Sequence, residues 1–136
     1  MIYEFEVIEN IQGKARPRMS TRTGKAYTPT KTKIYEYALR QWFIIKYPNF
    51  KPIEGRARIE ITAYLEIPKS TSKAKKEEML VNNISPTKKP DIDNIVKVVL
   101  DAMNKFAYKD DTQVVELIAK KKYAAIPKIV VKIEEF

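Results

Sequence analysis

The stretch KKPDIDNIVKVVLDAMNKFAYKDD, residues 88–111, has a pair of aspartates at each end of a run with helical periodicity. Asp91 and Asp93 stand one residue apart at its start, and Asp110 and Asp111 are adjacent at its end. Carboxylates held close together repel one another, and one takes up a proton unless a cation lies between them. Oxygen ligands of this kind suit magnesium, manganese or calcium. The spacing therefore predicts a divalent-metal site.

The charge of the whole chain points to an anionic partner. It has 26 basic and 17 acidic residues, a formal net charge of +9, and nucleic acid is the commonest partner of such a protein. Carboxylates alone would repel phosphate. A metal ion between the acids and a nucleic acid removes this conflict, because it polarises a phosphate and lowers the pKa of a bound water.

Two residue types are missing, and their absence excludes several classes of site. Without cysteine there is no disulfide, no thiolate zinc site and no cysteine nucleophile. Without histidine there is no Ser-His-Asp triad and no histidine-bound metal. Acid-base chemistry falls to carboxylates, lysines, tyrosines or metal-bound water.

An amphipathic helix is predicted over residues 93–106, from the spacing of Ile95, Val98, Val99, Ala102, Met103 and Phe106. We expect Asp93 to be its N-cap, with Lys97 and Asp101 following along its polar edge at four-residue steps. We expect Asp91 to be extended and to project to the same side as Asp93. Each of the other residues also has a purely structural explanation: Asp93 as a helix cap, Lys97 as a partner in helical ion pairs, and Asp110 and Asp111 as turn residues. Asp91 has no such explanation.

The segment Asn10–Tyr35 contains no acidic residue and is broken by glycine and proline, which predicts an extended loop. A solvated surface loop is the plain alternative, but the number of uncompensated cations favours contact with phosphates. The candidate DNA-binding residues of the chain are Lys14, Arg16, Arg18, Arg22, Lys73, Lys75, Lys76 and Lys89.

The remaining pattern predicts a mixture of strands and helices. Residues 2–8 alternate as a strand, with Tyr3, Phe5 and Val7 on one face. Residues 57–67 alternate as a longer strand with an apolar inward face, Ile59, Ile61, Ala63, Leu65 and Ile67. Residues 30–47 favour a helix with Ile34, Tyr37, Ala38, Trp42 and Ile45 facing the core.

A short basic helix with a serine or threonine cap is predicted within residues 70–80, followed by a loop. The chain then shows a hairpin pattern, residues 113–123 and 128–134. Together the elements predict a single α+β domain over residues 1–136, a mixed sheet of about four to five strands with helices packed on it.

Nothing in the sequence suggests a membrane protein. No apolar run is longer than Trp42–Ile45, and the first residues contain acids and no basic lead-in to a signal peptide. We therefore expect a cytoplasmic protein without a membrane partner.

The block KPDIDNIVKVVLDAMN, followed by YKDDTQV, resembles the motif of the RusA-type Holliday junction resolvases, small endonucleases common in phages and prophages. The resemblance implies that Asp91, Asp93 and Asp111 are catalytic metal ligands and that Lys97 lies near the scissile phosphate. Asn94 and Asp101 match the motif as supporting residues. Whether Asp110 or Asp111 faces the metal is left open.

The resemblance also implies a homodimer that uses Mg²⁺, with Mn²⁺ as a substitute, to cut two opposed strands of a four-way DNA junction in recombination and repair. A two-fold symmetric substrate that needs two cuts suits two chains. Such an enzyme acts on the DNA of the bacterial nucleoid. Two other functions stay open: a less selective nuclease for forks and flaps, and a basic DNA-binding module without catalysis.

Overall fold

Six strands and three helices make up the protein, and a computed structural model describes all residues 1–136. In chain order they are β1 (Ile2–Val7), β2 (Arg18–Met19), β3 (Ala26–Tyr27), α1 (Thr30–Lys46), β4 (Ala57–Glu66), α2 (Lys73–Leu80), α3 (Ile92–Met103), a 3-10 turn (Asp111–Gln113), β5 (Val114–Ala124) and β6 (Lys128–Glu135).

Four of the strands form one mixed sheet in the order β1-β6-β4-β5. Strand β6 is antiparallel to both of its neighbours, whereas β5 is parallel to β4. The two shortest strands, β2 and β3, form a separate antiparallel ribbon within the basic segment. The prediction of an α+β domain with a mixed sheet is confirmed, and the ribbon is an addition to it.

The core lies between one face of the sheet and the helices. Alternate residues of β1, β4 and β6 are buried, which matches the two-residue period of a strand with one covered face. The predicted inward faces of β1 and β4 are confirmed. Helices α1 and α3 pack against each other above this face.

The predicted terminal hairpin is wrong. Both strands exist, but β5 and β6 lie on opposite sides of β4 and do not pair with each other. The buried side chains of β6, Ile129, Val131 and Ile133, favour a position between two strands. The lysines at positions 120–122 favour the sheet edge for β5, where long side chains reach water. A three-residue link, 125–127, crosses the end of β4.

The predicted helix over residues 30–47 is confirmed as α1, but the predicted core face is wrong. Ile34, Tyr37, Trp42 and Ile45 are exposed. The buried face contains Tyr35, Leu39 and Phe43, spaced four residues apart. This helix is apolar on two sides, and packing decides which side is buried: Phe43 contacts the rings of Tyr3, Phe5, Tyr47 and Phe50.

The two later helices match the sequence closely. Helix α2 is short and basic, and the side chain of its N-cap Ser72 accepts a hydrogen bond from the Lys75 N–H. Helix α3 buries the predicted apolar residues up to Met103, and Phe106 lies beyond its end. None of the helices is both long and apolar enough to cross a lipid bilayer.

Candidate active site

The first turn of α3 presents two carboxylates. The N-cap is Asp91, whose backbone has the extended conformation usual at this position (φ −67°, ψ 148°), and Asp93 lies inside the first turn. The expectation that Asp93 is the N-cap is therefore wrong, and the two acids do not belong to one extended segment. Both lie at the helix N-terminus, where the positive end of the helix dipole favours negative charge.

These two carboxylates are free of protein partners. Asp91 and Asp93 are exposed, the Asp91 side chain accepts no capping hydrogen bond, and neither residue takes part in an ion pair. Because the Asp91 carboxylate makes no capping hydrogen bond, its oxygen atoms remain available to another ligand.

Asp91 borders a hollow of about 530 Å³ whose other charged residues are all basic. The hollow lies between the basic segment, the start of α1 and the start of α3. Its basic residues are Lys14, Arg18, Lys31 and Lys89. The structure thus places one carboxylate beside several cations from distant parts of the sequence, an arrangement that suits a phosphate together with a metal ion.

Lys14 is one of the predicted DNA-binding residues, but its charge is already compensated within the protein. Its Nζ atom lies 2.8 Å from Glu36 Oε1 and 3.2 Å from Asp101 Oδ2. Burial lowers the pKa of Lys14, but the hydrogen bonds to Glu36 and Asp101 outweigh this and hold the pKa above its ordinary value. Its direct partners are these two acids, so we do not retain it as a DNA contact.

The backbone at this point is bound tightly to α3. The Lys14 N–H donates to the Asn94 carbonyl at 2.8 Å. A Cβ atom on Gly13 would lie 2.8 Å from Asn94 Cβ and 3.1 Å from Pro90 Cβ, so only glycine fits without displacing the start of the helix. The basic segment and the residues around Asp91 are therefore positioned together.

The polar edge of α3 continues past the acids. Lys97 is exposed one turn after Asp93, free of any ion pair. One turn further, Asp101 pairs with Lys14. The predicted shared edge of Asp93, Lys97 and Asp101 agrees with the helix, and the role of Asp101 seen here is to hold Lys14.

The second pair of aspartates lies in a 3-10 turn rather than in a strand. Asp110 precedes the turn, and the Thr112 hydroxyl donates to its carboxylate at 2.7 Å. The Thr112 hydroxyl and the backbone N–H groups of Asp111 and Thr112 hold the pKa of Asp110 below its usual value. Because these partners engage Asp110, Asp111 is the better candidate for an external ligand.

The turn is fixed by a residue that the sequence analysis did not single out. The Gln113 side chain accepts from the Asp110 N–H at 2.9 Å and donates to the carbonyls of Ile53 and Gly55 at 2.7 and 2.8 Å. It anchors the turn to the chain that leads into β4. Its place in the TQV part of the motif was the available signal.

Asp111 lies toward the end of α3 that is opposite to Asp91. Burial, together with the charges of Asp111, Asp101 and Asp110, raises the pKa of Tyr108, whose hydroxyl donates to the Leu100 carbonyl. At about 1.5 Å per residue, the ten residues from Asp91 to Asp101 span roughly 15 Å of helix. Within one chain, no three acidic side chains are grouped closely enough to hold a metal ion.

The residues at the first turn of α3 nevertheless fit Mg²⁺. This ion retains several waters and is commonly bound by one or two carboxylates together with substrate phosphates. Asp91 and Asp93 supply two uncommitted carboxylates, and that of Asp91 borders the basic hollow. A full set of protein ligands is not required.

The other basic residues predicted to bind DNA fall into two groups. Arg16, Arg18 and Lys89 lie in the basic segment or next to Asp91, and Arg22 lies in the turn that joins β2 and β3. Lys73, Lys75 and Lys76 are exposed on α2, and none of them lines the hollow. Lys31, at the start of α1, also lines the hollow and is one of the cations of the basic segment for which phosphate contact was predicted.

Comparison with known proteins agrees with the motif. The family model for endodeoxyribonuclease RusA matches residues 10–134. The chain belongs to the RusA family. It is also 37% identical over 139 residues to the uncharacterized protein YqaN of Bacillus subtilis (strain 168), a match that covers 97% of this chain and 95% of that protein.

The RusA match identifies the protein as a DNA endonuclease family member over nearly its whole length. The matched range contains the basic segment, α3 and the 3-10 turn. The RusA motif residues in this structure thus have two kinds of role: Gln113 and Asp101 make structural contacts, whereas Asp91, Asp93 and Lys97 are exposed.

Replacing Lys14 with methionine should destabilise the protein, because Glu36 and Asp101 would lose their shared cation. We expect a loss on the order of 3 kcal/mol at pH 7, measured by urea unfolding. The folded-state pKa of Lys14 is raised, so the stability it adds is complete below its unfolded pKa of about 10.4 and disappears as pH rises through the folded value. The difference between wild type and variant should therefore narrow in strong alkali.

The control is Lys109→Met, which removes the exposed pair between Lys109 and Glu54. Its cost should not exceed about 1 kcal/mol. Equal losses in the two variants would show that the Lys14 cluster has no special structural role.

Replacing Gly13 with alanine should displace the start of α3, because the new methyl group overlaps the side chains of Asn94 and Pro90. We expect a destabilisation of about 1–3 kcal/mol in urea unfolding. Gly55→Ala is the matched control, since its nearest neighbour is the mobile end of the Glu135 side chain. A Gly13→Ala protein as stable as Gly55→Ala would contradict the close packing described here.

Proposed function

We propose that this protein is a Holliday junction resolvase: a structure-selective, Mg²⁺-dependent endonuclease that hydrolyses DNA phosphodiester bonds at four-way junctions. The proposal is supported by one structural observation above all. Two uncommitted carboxylates, Asp91 and Asp93, stand at the N-terminus of α3, and Asp91 borders a basic hollow. Membership of the RusA family gives this arrangement its chemistry.

Asp91 and Asp93 would hold the Mg²⁺ ion, with Mn²⁺ as a substitute. When bound, the ion would polarise the scissile phosphate and lower the pKa of a water molecule. Lys97, one turn along α3, would orient that water or neutralise charge that develops on the phosphate. Asn94 supports the same turn through its carbonyl, which binds the Lys14 N–H.

Asp111 is proposed as a further metal-binding acid on the strength of the motif alone. In the single chain it lies near Tyr108 rather than beside Asp91, so its part needs a separate variant. Asp110 is assigned to the turn, because its carboxylate is engaged by Thr112.

The cations around Asp91 would hold the phosphates that flank the cut. Three of these cations, Arg18, Lys31 and Lys89, line the hollow. Arg16 is exposed and directly follows Ala15, another lining residue. Arg22 and the lysines of α2 would contact DNA further from the cut. Phosphate contacts of this kind fix the position of the DNA without reading its sequence.

The substrate and the assembly follow from symmetry. One catalytic centre per chain makes one cut, and resolution of a four-way junction needs two symmetric cuts, so we propose a homodimer. Its place would be the bacterial nucleoid, in recombination and repair.

Replacing Asp91 or Asp93 with asparagine should lower junction cleavage at least roughly 100-fold in Mg²⁺, since loss of a direct ligand costs more than loss of an outer-shell partner. Junction binding should be retained, because the basic surface is unchanged. The measurements are cleavage of a synthetic four-way junction and a gel-shift titration. Asp111→Asn, assayed alongside, tests whether this third acid takes part.

Glu54→Gln is the matched control, an exposed acid outside the hollow that should cleave normally. Normal cleavage by Asp91→Asn would refute the assignment of that residue. Mg²⁺ should also raise the melting temperature of the wild type but not of Asp91→Asn. If neither protein cleaves DNA or responds to Mg²⁺, a DNA-binding module without catalysis is favoured. Equal cleavage of junction, fork and plain duplex would favour a less selective nuclease.

Replacing Arg16 and Arg18 together with alanine should weaken junction binding and flatten its dependence on salt. Each lost phosphate contact changes the slope of log K against log salt by about 0.9, so the pair should change it by about 1.8. The control is Lys46→Ala with Lys51→Ala, which removes the same charge from exposed residues outside the hollow. The hypothesis fails if both double variants change the slope equally.

A further inference from the structure

The two edges of the sheet differ in how their backbone groups are satisfied. At the β1 edge, the hydroxyl of Tyr47 accepts from the Glu4 N–H at 2.9 Å and donates to the Glu4 carbonyl at 3.1 Å. The Tyr47 side chain, at the end of α1, therefore occupies the free backbone N–H and C=O groups in the middle of β1. The β1 edge is blocked against pairing with another strand.

The β5 edge has no such cover over its first half. Val115, Leu117 and Ile118 are 59%, 46% and 46% exposed, and Glu116 and Lys120 are exposed as well. The second half, from Lys121 on, is only half-exposed, and the Lys121 side chain donates to the Lys88 carbonyl. A long, apolar, uncovered edge strand is a template for pairing with another chain.

The direction of the backbone groups can be read from one hydrogen bond. The Ala124 carbonyl accepts from the Ile67 N–H, so Ala124 faces the chain that continues β4. In a parallel pair the residues that face the neighbour alternate along the strand. Leu117 and Ala119 therefore direct their N–H and C=O groups away from the sheet, whereas Ile118 faces β4.

We propose that two copies of this chain associate through β5, in antiparallel orientation, with Ile118 on the two-fold axis. Leu117 of one chain then exchanges backbone hydrogen bonds with Ala119 of the other. The two copies of Ile118 face each other as a closely spaced pair without hydrogen bonds, with Cα atoms about 4.5 Å apart. The two four-stranded sheets become one continuous sheet.

The side chains favour this register and this partner. With Ile118 on the axis, Glu116 of each chain, whose carboxylate is bound by Arg58 of its own chain, lies opposite Lys120 of the other, so the residues of both cross-strand pairs have opposite charges. Parallel, in-register pairing would instead place the lysines of 120–122 opposite their own copies, and like charges directly opposite are destabilising. The strand is therefore complementary to itself in the antiparallel sense.

This inference deepens the proposed function, since it gives the homodimer a surface, and it rests on that proposal only for the expectation that two copies associate. It does not involve the acids at α3. Assembly can be measured without DNA or metal, so a failure here leaves the nuclease assignment intact. Loss of cleavage in a protein that still dimerises would count against the nuclease alone.

Single cysteines test the interface without background, because the chain contains none. Ile118→Cys should form a disulfide with its own copy under mild oxidation, converting most of the protein to a species of twice 15.8 kDa on a non-reducing gel. Two controls carry a cysteine at other exposed isoleucines, Ile45→Cys on α1 and Ile126→Cys in the link after β5. Both should remain largely uncross-linked.

Sedimentation of Ile118→Lys completes the test. The wild type should sediment as a dimer, and this variant as a monomer with an unchanged circular dichroism spectrum, since the substituted residue is exposed. A monomeric wild type, a dimeric Ile118→Lys protein, or preferential cross-linking through Ile45→Cys would each overturn the proposal. The last result would place the interface on the exposed apolar face of α1.

Discussion

One ion cluster connects the parts of the protein on which the candidate site depends. Lys14 belongs to the basic segment, Glu36 to α1 and Asp101 to α3, and the three side chains meet within hydrogen-bonding distance. The basic segment has no acidic residue of its own, and the partners of Lys14 come from the two helices. Removing one partner of such a cluster leaves buried charge uncompensated, which is far more costly than breaking a surface pair. The cluster thus holds the basic segment, at Lys14, to both α1 and α3.

The acidic residues of the motif fall into two groups, those with partners inside the protein and those without. Asp101 holds Lys14, and Asp110 is engaged by the turn that Gln113 anchors. Asp91 and Asp93 are the ones left without partners at the start of α3. A structural carboxylate is stabilised by its hydrogen bonds, whereas a metal ligand must keep its lone pairs available, so one residue serves both purposes poorly. Counting acids in the motif therefore overstates the number that can bind a metal.

The sequence predicted local structure well and partner choice poorly. The strands β1 and β4, the helices and the inward faces of both strands follow from periodicity, which depends on neighbouring residues alone. The hairpin prediction was wrong because the pairing of β5 with β4 depends on contacts between residues far apart in the sequence. The face of α1 failed because apolar residues occupy both sides, and Glu36 lies on the buried one. No local sequence pattern predicts that Lys14 neutralises the buried Glu36.

The position of β5 follows from a compromise that has consequences beyond the single chain. Its first half is apolar enough for a sheet interior, and its three consecutive lysines are not, so it pairs with β4 on one side and stays at the edge. An edge strand of this kind would aggregate if any orientation of a second strand were acceptable. The lysines disfavour a parallel, in-register arrangement by repulsion, whereas the proposed antiparallel one would place Glu116 opposite Lys120. The lysines that keep β5 at the edge of the sheet thus also limit the orientation in which a second strand can pair with it.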